Sequence, residues 1–152
     1  MKCLTAVLLS LSVLSSCAPA PDATDWETQI REANEVLLNQ GDLDRVSEFF
    51  LPTYLNHSAA GENTGSDLIV GFVRGLREAF PDLQVEIEIL AADGNRVTWL
   101  RTHRGTHQGE YMGVPGSGRE IVWRSMAVSR YENEMIAEEW GVSELGPHLL
   151  SQ

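Results

Sequence analysis

The chain of 152 residues carries 22 acidic against 11 basic side chains, a formal charge of −11, with 43% hydrophobic residues and two cysteines. That length suits one domain with one sizeable core. The acidic excess repels phosphate backbones, which sets aside nucleic-acid partners, and the only lysine, Lys2, leaves no Schiff-base chemistry for the rest of the chain.

Lys2 is followed by an apolar run from Leu4 to Leu14, broken by Thr5, Ser10 and Ser12, and then by small residues up to Cys17. This is the three-part pattern of a secretory signal, too short to stay as a spanning helix. Leu14-Ser15-Ser16-Cys17 resembles the bacterial lipobox. The resemblance implies a signal peptide over 1–16, a tether over 17–24 starting at lipidated Cys17, and a folded domain over 25–152. The alternative is an ordinary secreted protein cut near Ala18 or Ala20. Cys3 leaves with the signal, so Cys17 would stand alone in an oxidising compartment, a liability unless its sulfur is modified. All acidic residues follow Cys17 and the remaining ten basic residues are arginine, so the mature charge is 10 − 22 = −12. Acyl chains contribute ~0.8 kcal/mol per buried CH₂. The expected place is therefore the cell envelope, facing periplasm or exterior and held to the membrane by lipid.

Beyond Pro19 and Pro21, Thr24 and Glu27 form a capping-box pattern. Trp26, Ile30, Ala33, Leu37 and Leu38 then recur at helical spacing, and Gly41 stands ready to end the helix. A second short helix carries Leu43, Val46, Phe49 and Phe50 and stops at Pro52, and Tyr54 to Gly65 reads as a polar loop. The third helix, about 66–79, is expected to bury Leu68, Ile69, Phe72, Val73, Leu76 and Phe80 before Pro81.

Here the period changes to two. Leu83, Val85, Ile87 and Ile89 alternate with Gln84, Glu86 and Glu88, the mark of a half-buried antiparallel strand. Asp93-Gly94-Asn95 turns into a strand at about 96–107. Further strands at about 119–131 and 135–142 flank a turn at Glu132-Asn133-Glu134, and 145–152 is left as a tail. Helices followed by strands give an α+β order, with one curved antiparallel sheet of about four main strands wrapped round three N-terminal helices and open at one end as a pocket.

Tyr54-Leu55-Asn56-His57, Ala79-Phe80-Pro81-Asp82-Leu83, Arg104 to Tyr111 (Arg-Gly-Thr-His-Gln-Gly-Glu-Tyr) and Glu138-Glu139-Trp140 follow one another in a familiar order. In these residues the chain resembles the SnoaL-like polyketide cyclase (ester cyclase) family, over most of Asp25 to Leu150. The resemblance implies the nuclear transport factor 2-like cone, an intramolecular aldol closure without metal or cofactor, and homodimers built on the sheet face. It also implies an aspartate after the strand tryptophan as general acid and base, with a helper histidine on the preceding strand. This sequence has Gly141 and Ala127 at those positions, neither of which moves a proton.

Substitutes must come from elsewhere. His57, on the inter-helix loop, suits proton transfer near neutral pH or else fixes that loop structurally. His107, with Glu110, matches the family loop and is placed at the entrance or, as the glycines around it suggest, in a structural turn. His103 and His107 share a strand face ~13 Å apart, too far for one metal, and no helical HxxxH is present, so no metal site is expected. Glu139 reaches the pocket if its face points inward, where burial raises a carboxyl pKa; otherwise it is a rim charge or an arginine's partner. Glu144 is the other spare carboxylate. Asn56, Trp99, Trp123 and Trp140 complete the expected pocket, although tryptophans serve equally as core or interface. Two functions stay open: an exported enzyme acting on a small apolar substrate by cofactor-free acid/base chemistry (aldol closure, isomerisation or hydrolysis), with His57 and Glu139 as acid and base, or a lipid-anchored protein that binds such a molecule without chemistry.

Overall fold

The computed structural model describes residues 23–58 and 61–151, with side chains from Trp26 onward. The signal, Cys17 and most of the expected tether lie outside the described residues, as does the capping side chain of Thr24. α1 (Ala23–Asn34) runs on into a single π-turn over Glu35–Asn39. The run ends at Gly41, whose φ of +73° is open to glycine at little cost. Arg77 seals that end: its Nη1 donates to the carbonyls of Leu38 and Asn39 at 2.7 and 3.1 Å, satisfying helix-terminal acceptors that have no partner within the helix.

A 3₁₀ turn at Leu43–Arg45 leads into the one-turn α2 (Val46–Phe49). The next segment corrects the loop expected from Tyr54 to Gly65: it forms β1 (Phe50–Ser58) and β2 (Gly61–Thr64), paired antiparallel. Pro52, Asn56 and His57 hide the strand because they break its alternation. Pro52 is tolerated because the pairing with the neighbouring strand shifts register between Phe50 and Leu55, where a missing N–H removes no ladder bond.

α3 (Asp67–Ala79) precedes the four strands read from the period-two pattern, found within a residue or two of their expected ends: β3 (Gln84–Asp93), β4 (Arg96–Thr106), β5 (Glu120–Glu132) and β6 (Met135–Ser143). The β5–β6 turn places Asn133 and Glu134 at φ of +50° and +63°, the backbone a two-residue hairpin needs. The tail forms α4 (Leu145–Leu150). The sheet order is β2-β1-β6-β5-β4-β3, with β1 parallel to β6 and every other neighbour antiparallel. The cone therefore has a curved six-stranded mixed sheet rather than four antiparallel strands.

Helices cover one face of this sheet in two clusters. α1 and the π-turn pack Trp26, Ile30 and Leu37 against Tyr54, Val97, Trp99 and Tyr131, and Trp26 stacks on Tyr131 at 4.4 Å. α3 and α4 pack Val73, Leu76, Phe80, Leu145 and Leu149 round Trp123. Ile69 and Ile87 are only partly buried and touch both clusters. Phe72, expected in the core, is 41% exposed, while Val73 and Phe80 on the packed stripe are 1% and 0% exposed. Successive helical positions are ~100° apart, so the stripe that buries Val73 and Leu76 turns Phe72 aside.

Candidate functional site

Strand alternation and register together turn the inner sheet face into a grid. Val97, Trp99 and Arg101 of β4 face Ser129, Ala127 and Ser125 of β5. These in turn face Glu139, Gly141 and Ser143 of β6, and Glu139 pairs with Asn56 of β1. Ala127 and Gly141, the positions where the family resemblance puts histidine and aspartate, are thus direct cross-strand partners. A Cβ added at Gly141 would meet only the Met126 carbonyl oxygen, at 3.7 Å. Ser125, Ala127 and Gly141 are only partly buried although they sit on the helix-covered face. Small residues here form a partly accessible floor, with Ala127 packed against the first hydrophobic cluster.

One edge of this floor is a buried polar network centred on Glu139, which is 8% exposed. Tyr54 Oη donates to Glu139 Oε2 at 2.8 Å and Ser129 Oγ donates to Oε1 at 2.5 Å. Behind them, Asn56 Nδ2 donates to Tyr54 Oη at 3.1 Å and Trp99 Nε1 to Ser129 Oγ at 2.9 Å. Every donor in this chain ends on one carboxyl group. Burial raises the Glu139 pKa above the ordinary carboxylate range, against the opposing pull of Ser129, Tyr54 and Arg101. The Tyr54 phenol is pushed upward by burial and by Glu139, and so keeps its proton.

Across the floor stands Arg101, its guanidinium carbon 4.5 Å from the Trp99 ring centroid. Its Nε is shut off from solvent and has no hydrogen-bond partner among the described residues. Burial pulls its pKa down to about 10 while Glu139 and Tyr54 pull it up, so it remains cationic at neutral pH. Beyond it His103 lies flat on Trp123 at 4.6 Å. Burial, then Arg101, drives the His103 pKa well down and keeps the ring neutral.

The structure brings Glu139, Asn56 and Trp99 together but not His57. His57 shares the outer face with Trp140, stacked at 4.9 Å, and its Nε2 lies 2.7 Å from Glu138 Oε1. Glu138 also accepts from Arg130 Nε at 2.7 Å. The expected His57–Glu139 acid/base pair is therefore split across the sheet, because β1 is a strand on which neighbouring residues point to opposite faces. Trp140 likewise faces away from the floor. Trp123 faces inward but belongs to the second cluster, beside Phe80. His107 is fully buried and stacked on Phe80 at 5.1 Å, so it does not line an entrance. Glu144 is exposed, and its Oε2 accepts the Arg124 backbone N–H at 3.1 Å.

Sequence reasoning missed Arg101, Ser129 and the role of Tyr54. A signal for Arg101 was present: it has the same parity as Val97, Trp99 and His103, so its strand places a cation on the core-facing row. A cleft of about 490 Å³ lies elsewhere, between the π-turn and the start of β3. Several of its polar groups are engaged: Glu35 binds Asn39 and Gln40, Asp82 binds Thr106, and Arg77 seals the helix end. The floor beside Glu139, with an acid and a cation facing each other, is the better candidate. Among the described residues no three His, Cys, Asp or Glu side chains converge as metal ligands.

The comparisons with known proteins agree with this architecture. The family model described as SnoaL-like polyketide cyclase matches residues 28–149. Among solved structures, the proposed hydroxylase AclR from Streptomyces galilaeus is 29% identical with a TM-score of 0.74, over 86% of this chain and 82% of that one. IdmH, a proposed polyketide cyclase from Streptomyces antibioticus, is 26% identical with a TM-score of 0.69, over 87% and 100%. TsrD from Streptomyces laurentii, 20% identical at a TM-score of 0.73 over 82% and 92%, shares the fold. No curated protein matches the chain significantly. With most of its length matched by the family model, the chain belongs to the SnoaL-like polyketide cyclase family.

Proposed function

We propose that this protein is a cofactor-free acid/base enzyme acting on a small molecule at the inner sheet face, with Glu139 in the place of the family's aspartate and histidine. The buried carboxyl with a raised pKa, next to a partly accessible floor, carries this reading: a base so placed works near neutral pH, where an ordinary carboxylate is too weak. Ionised Glu139 takes a proton from the carbon beside a substrate carbonyl, and the C–H electron pair moves onto the carbonyl oxygen as an enolate. The enolate carbon then bonds to an internal carbonyl carbon, whose oxygen becomes an alkoxide and takes the proton back from Glu139, as in a cyclase; or the enolate recovers the proton from Glu139 at the same or a conjugated carbon, as in an isomerase. Tyr54 and Ser129 are positioning residues that fix the carboxyl.

One observation favours a non-catalytic binding protein instead: Ala127 and Gly141 supply no acid or base beside the floor. Deuterium exchange separates the two. The full chain incubated with 2-tetralone in D₂O is expected to speed exchange of the protons next to the carbonyl, and Glu139→Gln to lose ~10²–10⁴-fold of that rate. Exchange equal to the buffer rate, or unchanged in Glu139→Gln, supports binding alone.

The mature domain is further proposed to be exported and lipid-anchored through Cys17, on the strength of the signal pattern and lipobox resemblance. Cys17→Ser is expected to abolish incorporation of radiolabelled palmitate, and equal label on both proteins would exclude the anchor. Pairing of two copies through the outer sheet face is proposed from the apolar side chains exposed there.

A further inference from the structure

We propose that the inner-face floor takes a planar small molecule bearing a carboxylate, which the Arg101 guanidinium holds; this deepens the acid/base reading above and rests on it. Arg101 stacks its flat face on Trp99, and stacking leaves the N–H edge of a guanidinium free to bond. Nε is shut off from solvent, whereas the side chain as a whole is only partly buried and no described residue accepts from its two Nη groups. The Nη pair forms an end-on fork that a carboxylate meets with two parallel hydrogen bonds.

None of the described residues fills this role. Glu139 acts on Arg101 electrostatically, but its two oxygens are held by Ser129 and Tyr54. His103, on the other side, is neutral. A secluded charge without a partner is unfavourable, and an incoming carboxylate relieves it. Between Arg101 and Glu139 the floor is small-residued, at Ala127 and Gly141, while Ile69 and Ile87 offer apolar surface from the helix side and from β3. A ligand lying there sets its carboxylate on Arg101 and its reactive carbon toward Glu139. The ligand is therefore amphipathic, not wholly apolar as the sequence suggested.

The test compares 2-naphthoate with its uncharged methyl ester, titrated against the full chain by calorimetry and by quenching of tryptophan emission. Wild type is expected to bind the acid at least ~10-fold more tightly than the ester. Arg101→Gln should abolish that preference. Arg101→Lys, which keeps the charge and loses the fork, should lose most of it, and it serves should the glutamine variant fail to fold by circular dichroism. Equal binding of acid and ester by wild type, no binding of either, or an undiminished preference in either variant would overturn the proposal. The readout needs no turnover. Glu139→Gln that keeps the acid preference but shows no exchange defect refutes the acid/base reading alone; an exchange defect without acid preference refutes the carboxylate alone.

Discussion

Glu139 accepts from two hydroxyls, Tyr54 and Ser129, each backed by a further donor, yet it remains a buried acid, and that combination sets its pH behaviour. Its folded pKa lies above the unfolded value of ~4.3, because desolvation outweighs the hydrogen bonds from Ser129 and Tyr54. A group raised on folding stabilises the native state fully below its unfolded pKa, and the benefit is lost as pH rises through the folded pKa. Glu138 behaves oppositely: hydrogen bonds from Arg130 and His57 lower its pKa, so its stabilisation is present above ~4.3 and fades in acid. A pH series on wild type alone mixes the two. The difference between wild type and Glu139→Gln isolates the first, and urea unfolding from pH 4 to pH 8 should show the glutamine variant gaining relative stability as pH rises. A difference independent of pH would mean that Glu139 ionises as freely in the fold as in the unfolded chain.

At the scale of elements, the contrast between Phe72 and Phe80 tests the packing of α3. Phe80 is fully buried among Trp123, His107 and the end of α3, so Phe80→Ala should cost ~3–5 kcal/mol. Phe72 is 41% exposed, and Phe72→Ala should cost less than ~1 kcal/mol. Thermal or urea unfolding decides, and equal losses would place both rings in the core. The same elements show what was legible in the sequence. β3 to β6 were readable because one face meets helices and the other water, which writes a period of two into Val85, Ile87 and their neighbours. β1 was not readable, since it lies between β2 and β6, is interrupted at Pro52, and turns Asn56 inward and His57 outward within two polar residues. That single misreading moved His57 to the wrong side of the sheet and broke the proposed pair. Glu139 was legible as a candidate because its distance from Trp140 and Gly141 is fixed by alternation alone. Tyr54 and Ser129 were hidden because their partner lies 85 and 10 residues away, contacts that only the sheet order creates.

On the scale of the whole molecule, the two sheet faces differ in what they leave open. Among the described residues the inner face is packed by helices in two clusters, and its small-residue floor is only partly buried. The outer face carries Val122, Met126, Trp140 and Val142 at 40%, 45%, 36% and 68% exposure, with Met126 and Val142 directly opposed across β5 and β6. A run of exposed apolar side chains across neighbouring strands is the kind of surface that partners cover, and a two-fold axis through it would bring each residue against its own copy's patch. Opposing this is the charge: two copies, each at −11 by the sequence count, repel one another. Salt screens that repulsion over ~8–10 Å while leaving the apolar contact in place. Association should therefore strengthen from low to physiological salt, the reverse of what a salt-bridged interface would do. Light scattering on purified wild type is expected to give twice the chain mass at ~0.15 M salt, with partial dissociation at ~0.01 M. Met126→Glu places a carboxylate at the centre of the patch without touching the inner face, and should yield monomers that keep the Glu139-dependent exchange activity. A wild type that stays monomeric at both salts, or a Met126→Glu protein that stays dimeric, would exclude this face as the interface.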